Sequence, residues 1–164
     1  PPRIIFAENK KKGNDIALIR LPTSLTFGPT VQPICYPTSG EIGAAMAGCD
    51  QMAYGWGALS FKDYKNRNPA TFLQKMSMRT SDRAFKDCFA NDGSEFCGFA
   101  TTPSTYGCVG DSGGPLVVRY NGQAFVAGMA HWAAISTKIC KSALRYTKAS
   151  FHADWIQSTI SNWG

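Results

Sequence analysis

The seven residues Gly110-Asp111-Ser112-Gly113-Gly114-Pro115-Leu116 carry more chemical information than any other part of this sequence. A nucleophilic serine needs its hydroxyl exposed on a tight turn. Glycines on both sides let the backbone bend sharply and approach a bound carbonyl. In such a bend the N–H groups of Gly110 and Ser112 converge on a developing oxyanion, usually the largest contribution to acyl transfer. Pro115 fixes the exit into the apolar run Leu116-Val117-Val118. A Gly-rich hairpin with an incidental serine accounts for a bare G-x-S-x-G, but not for the whole string.

Outward from this turn the chain reads as mostly β. Turn-formers break it about every 8–12 residues, the rhythm of a sandwich or barrel. Strand-like pieces fall at Asp15–Leu21 and near 50–55, 71–79, 95–99, 115–120, 124–132 and 144–149. Phe72, Gln74, Met76 and Met78 alternate with Leu73, Lys75, Ser77 and Arg79, with the buried face left open. Residues 22–43, rich in Pro, Gly, Thr and Ser, read as an extended surface connection. Two helices are expected. Ser81 N-caps a short one through Cys88, and Ser150 N-caps a terminal one whose Phe151, Trp155, Ile156 and Ile160 form a packing stripe.

The composition is globular: 164 residues, 44% hydrophobic and 17% charged, which excludes a disordered or collagen-like chain. No run approaches the ~20 apolar residues of a membrane span. The formal charge of +6 is scattered apart from Lys10-Lys11-Lys12, read as a solvated loop. No basic stripe interleaved with aromatics suggests nucleic acid as a partner. The chain opens at Pro1-Pro2-Arg3 with neither Met nor a signal peptide, so a longer precursor is expected. Cysteines stand at 35, 49, 88, 97, 108 and 140 with no C-x-x-C pair. That favours disulfides over a metal site and points to an oxidising, secreted setting, with fifteen connectivities open.

The nucleophile string, with Cys108 two residues before it, resembles that of chymotrypsin/trypsin-like serine endopeptidases. Four further stretches agree in order: Asn14-Asp15-Ile16-Ala17-Leu18, Gln32-Pro33-Ile34-Cys35-Tyr36-Pro37, Gly55-Trp56-Gly57, and Tyr146-Thr147-Lys148 followed by Asp154-Trp155-Ile156-Gln157. The resemblance implies a double β-barrel with the active site between barrels. Residues 1–21 would end the first barrel, 22–43 would connect, and 44–164 would form the second barrel with a C-terminal helix. It implies Ser112 as nucleophile, Asp15 as the carboxylate behind the catalytic His, and Gly110 and Ser112 as oxyanion donors. Asp111 would pair with the N-terminus freed on zymogen cleavage. It also implies disulfides Cys88–Cys97 and Cys108–Cys140. Gln51 and Val118 stand where a further bridge is usual, leaving Cys35 and Cys49 either to pair or to tether an upstream segment.

Two departures qualify the expected activity. Only fourteen residues precede Asp15 and none is His, so the base would lie in an N-terminal portion outside this sequence. The two histidines are His131, where the family usually has the Ser of Ser-Trp-Gly, and His152. His131 is expected near Asp15 as a packed residue rather than a replacement base. The pocket also departs. Tyr106 occupies the floor, six places before the nucleophile, where a trypsin-type enzyme has Asp. His131, Trp132, Ala133 and Leu144 form its walls, with Ala133 and Leu144 replacing glycines, which implies a small apolar P1 residue. The expectation is a secreted serine endopeptidase without cofactor or metal, acting on polypeptides and met by protein inhibitors. The alternative is a non-catalytic homologue serving as a binding or regulatory protein.

Overall fold

Strand side chains alternate between two faces, and here that alternation closes a barrel. In this computed structural model the described residues are 2–7, 14–81, 88, 93–133, 140 and 143–163, with Trp132 and Ala133 described in backbone alone. Strands β1 (Arg3–Phe6) and β2 (Ala17–Arg20) pair antiparallel as a separate two-stranded sheet. Strands β3 (Gln51–Gly55), β4 (Gln74–Ser81), β5 (Glu95–Ala100), β6 (Pro115–Tyr120), β7 (Gln123–Ala133) and β8 (Ala143–Lys148) form the barrel in the order β3-β4-β5-β8-β7-β6. All neighbouring pairs are antiparallel. The architecture is the mostly β barrel with a C-terminal helix that the sequence led us to expect.

Ala53, Met78, Phe96, Leu116, Ala130, Leu144 and Tyr146 fill the barrel. Phe96 and Tyr146 stack with ring centroids 5.3 Å apart. Each large apolar side chain buried here contributes about 1.5–3 kcal/mol. On β4 the buried face carries Met76 and Met78, while Lys75, Ser77 and Arg79 are exposed; Phe72 precedes the strand and is exposed too. By the same alternation Glu95, Cys97, Arg145 and Thr147 lie on the outer face of β5 and β8.

Three features correct the sequence reading. The connection at 22–43 is not extended throughout, because helix α1 (Gly40–Ala45) begins at its end, capped by Ser39 Oγ accepting the Ile42 N–H at 3.3 Å. A second helix, α2 (Phe61–Asn66), follows the Gly55-Trp56-Gly57 turn. Ser60 Oγ accepts the Asp63 N–H at 3.1 Å, and Arg67 ends the helix at φ 55°. Six residues are too few to show helical periodicity. The terminal helix α3 (Ala153–Ser161) starts beyond Ser150, which lies in a 3-10 turn over Ala149–His152. That turn breaks the expected stripe: Ile156 is buried, but Phe151 and Ile160 are half exposed. Ser81 ends β4, and the helix expected after it lies outside the described residues, as does Lys10-Lys11-Lys12.

The separate sheet is tied to the barrel side of the molecule at two points. Arg20 Nη1 donates to the Trp163 carbonyl beyond α3. Thr147 Oγ1 on β8 donates to the Asp15 carbonyl just before β2, at 3.1 Å. The connecting segment runs beside β7, where the Val126 N–H donates to the Cys35 carbonyl at 2.8 Å.

Candidate active site

The turn at Ser112 is held by its neighbours' amides. Asp111 N–H donates to the Cys108 carbonyl at 3.2 Å, Gly113 N–H to Ala130 at 2.5 Å, and Gly114 N–H to Asp111 at 2.9 Å. Gly110 and Gly113 adopt φ 101° and 81°, a region that favours glycine. Ser112 is exposed. Among the described residues, the N–H groups of Gly110 and Ser112 have no acceptor. The amides of Asp111, Gly113 and Gly114 are therefore used in folding, and among the described residues the two expected at an oxyanion are not.

Asp111 turns inward. Its Oδ1 accepts the Gly57 N–H and its Oδ2 the Cys108 N–H, each at 2.9 Å. This approach explains Gly55-Trp56-Gly57, since a Cβ on Gly57 would lie 2.6 Å from the Asp111 carboxylate and one on Gly55 would overlap it.

Asp15 is exposed, and its backbone is pinned by Thr147. Thr147 lies opposite Met129 on β7, and the next residue, Ala130, receives the Gly113 N–H. The Asp15 carbonyl and the Gly113 amide are thus held at neighbouring positions of one β7–β8 ladder. His131 follows Ala130. It is the extra residue of a bulge, because Ala130 faces Tyr146 and Trp132 faces Arg145. The bulge turns it to the outer face, where Nε2 stands 2.9 Å from Glu95 Oε1, at ion-pair distance but not aligned for a hydrogen bond. Arg145 Nη1 holds Glu95 Oε2 at 3.3 Å. Burial lowers the proton affinity of His131 from its usual value; Glu95 and Asp15 oppose that shift, and Arg145 adds to it. His152 is buried edge-on to Phe151, centroids 5.1 Å apart. No contact among the described residues joins either imidazole to Ser112.

A cavity of about 200 Å³ lies beside Asp111, lined by Tyr106, Leu144, Tyr146, Ala130 and Gly55 among others. Leu144 belongs to the barrel core and crowds Gly107, where an added Cβ would sit 2.5 Å from Leu144 Cδ1. The buried Tyr146 hydroxyl has no partner among the described residues. Burial, then the Asp111 charge, holds its ionisation well above the usual phenol range. Trp132 and Ala133 lie on β7. Cys88–Cys97 and Cys108–Cys140 are bonded, the second close before the turn at Ser112; Cys35 and Cys49 are free thiols. Gln51 and Val118, at the site of the absent bridge, are cross-strand partners. Among the described residues no group of His, Cys, Asp and Glu is placed to hold a metal ion.

Glu95 and Arg145 escaped the sequence reading, and Thr147 entered it only within a motif, without a role. Their signal is faint: a Glu and an Arg on strands whose diagonal closeness needs the β5–β8 register, Glu95 opposite Thr147 and Cys97 opposite Arg145.

A model of the family described as Trypsin matches residues 2–156. The chain is 35% identical over 155 residues to vitamin K-dependent protein C of Rattus norvegicus, covering 90% of this chain and 33% of that protein. Against Trypsin-1 of Astacus astacus it is 32% identical over 149 residues, covering 88% of this chain and 59% of that protein. Vitamin K-dependent protein C of Oryctolagus cuniculus is 31% identical over 153 residues, covering 90% and 33%. The chain therefore spans about a third to three-fifths of the length of these relatives.

Proposed function

Because this chain belongs to the trypsin family, we propose that the intact protein is a secreted serine-type endopeptidase that cleaves polypeptides through an acyl-enzyme. Ser112 Oγ attacks the scissile carbonyl while a histidine from outside these 164 residues takes its proton. Asp15 orients that imidazole and stabilises its positive charge. The N–H groups of Gly110 and Ser112 bind the oxyanion. The imidazolium then protonates the departing amine, and water, deprotonated by the same base, releases the acyl group. The observation that carries this reading is the exposed Ser112, whose own N–H and that of Gly110 have no acceptor among the described residues.

On this reading residues 1–21 end a first barrel, 22–43 cross between barrels, and 44–164 form the second with its helix. Two strands of four residues are marginal alone, and Ile4, Phe6, Ile19 and Leu21 are exposed for an N-terminal portion to cover. The Asp111 carboxylate accepts two N–H bonds and borders the cavity. Its spare acceptor sites would take the ammonium of a new N-terminus after zymogen cleavage. Tyr106 and Leu144 reduce the pocket, favouring a small apolar P1 residue. No cofactor enters this chemistry, and the same cleft would receive protein inhibitors.

The test compares hydrolysis of a peptide library by the intact, activated protein, its Ser112→Ala variant and the 164-residue chain. Turnover after small apolar residues by the first alone is expected. Turnover by the isolated chain, or strong cleavage after Arg, Lys or Phe, contradicts the reading. The crowding of Gly107 by Leu144 favours one alternative, a non-catalytic homologue that binds polypeptides. It would bind library peptides without cutting them.

A further inference from the structure

Resting on the hydrolase reading above, we propose that Glu95 is a positioning residue: it captures His131 and so keeps the Asp15 carboxylate available to the catalytic imidazole. An imidazole at position 131 is a competitor as well as a neighbour. The bulge in β7 places it on the outer barrel face beside the Asp15 segment, which Thr147 clamps to the same patch. A histidine that bonded Asp15 would occupy the group that must orient the base.

Glu95 removes that competition by proximity and burial. Its Oε1 lies 2.9 Å from His131 Nε2, and Glu95 is only 4% exposed, so little water competes for the contact. Arg145 Nη1 holds the other carboxylate oxygen, Oε2, at 3.3 Å. The groups acting on His131 among the described residues are Glu95 on β5, Arg145 on β8 and Asp15 ahead of β2, and the pull of Glu95 exceeds that of Asp15. A carboxylate this close also selects the tautomer, because Nε2 must carry the proton to face it.

The test uses the intact, activated protein. Glu95→Gln frees His131 to turn to Asp15, and kcat is expected to fall about 10- to 100-fold, short of the ~10⁴-fold loss that follows loss of the orienting carboxylate. KM is expected to stay within about twofold, because none of Glu95, His131 and Asp15 lines the cavity beside Asp111. Adding His131→Ser to Glu95→Gln removes the competitor, and kcat is expected to recover at least about fivefold. A double variant as slow as Glu95→Gln overturns the proposal and leaves the hydrolase reading standing. Should Glu95→Gln fail to fold, nitrogen NMR of the unmodified protein decides: His131 carrying its proton on Nε2 is expected, and the Nδ1–H tautomer overturns the proposal. A wild-type protein without turnover, its Ser112 inert, overturns the hydrolase reading and this inference together.

Discussion

Ser112 gains a role only through its neighbours. Asp15→Asn is expected to lower kcat about 10⁴-fold, because the incoming imidazole then adopts the wrong tautomer; steady-state kinetics check this. Two groups with shifted proton affinity make stability depend on pH. Burial lowers the proton affinity of folded His131 relative to the unfolded value of 6.5. Below that pH the unfolded chain binds more protons than the folded one, so the contribution of His131 is lost as the pH falls. Tyr146 is the reverse case. Its phenol is held neutral by burial and by Asp111, so stability is lost as the pH rises above the unfolded value of 10.0. Urea denaturation across pH checks both, with a flatter acid limb expected for His131→Asn and a flatter alkaline limb for Tyr146→Phe.

At the scale of elements, the turn at Ser112 depends on backbone closeness. A Cβ on Gly114 would lie 2.8 Å from the Asp111 carbonyl and 2.9 Å from that of Tyr54, and neither backbone atom can move cheaply. Gly114→Ala is expected to cost about 1–3 kcal/mol, the usual penalty of overpacking, with a matching loss in denaturation midpoint. This turn was legible in the sequence because glycines and a proline bracket one serine. Strands β3 to β8 were legible from alternating and apolar runs, and both disulfides followed from the resemblance. Helices α1 and α2 were not, since one turn and a half of helix leaves no period to read. The Glu95–His131–Arg145 cluster was hidden for another reason. It joins three strands through a bulge, and register is invisible in a linear string.

Across the whole molecule, the two-stranded sheet and the segment after it carry apolar side chains at the surface. Ile4, Phe6, Ile19, Leu21, Leu25 and Phe27 are among its exposed apolar side chains. Large exposed apolar patches associate, so sedimentation is expected to show the isolated chain self-associating, and Phe6→Ser with Ile19→Ser to reduce this. The disulfides differ in reach. Cys108–Cys140 spans 32 positions and Cys88–Cys97 spans 9. By loop entropy their removal costs about 3.7 and about 2.7 kcal/mol, so the Cys108–Cys140 variant should melt first. The central claim is that this fold presents Ser112 as a working nucleophile. A fluorophosphonate probe applied to the intact, activated protein, followed by peptide mapping, tests it most directly. Ser112 Oγ displacing fluoride to give a single adduct on that residue is the expected result, and an unmodified Ser112 would contradict the account.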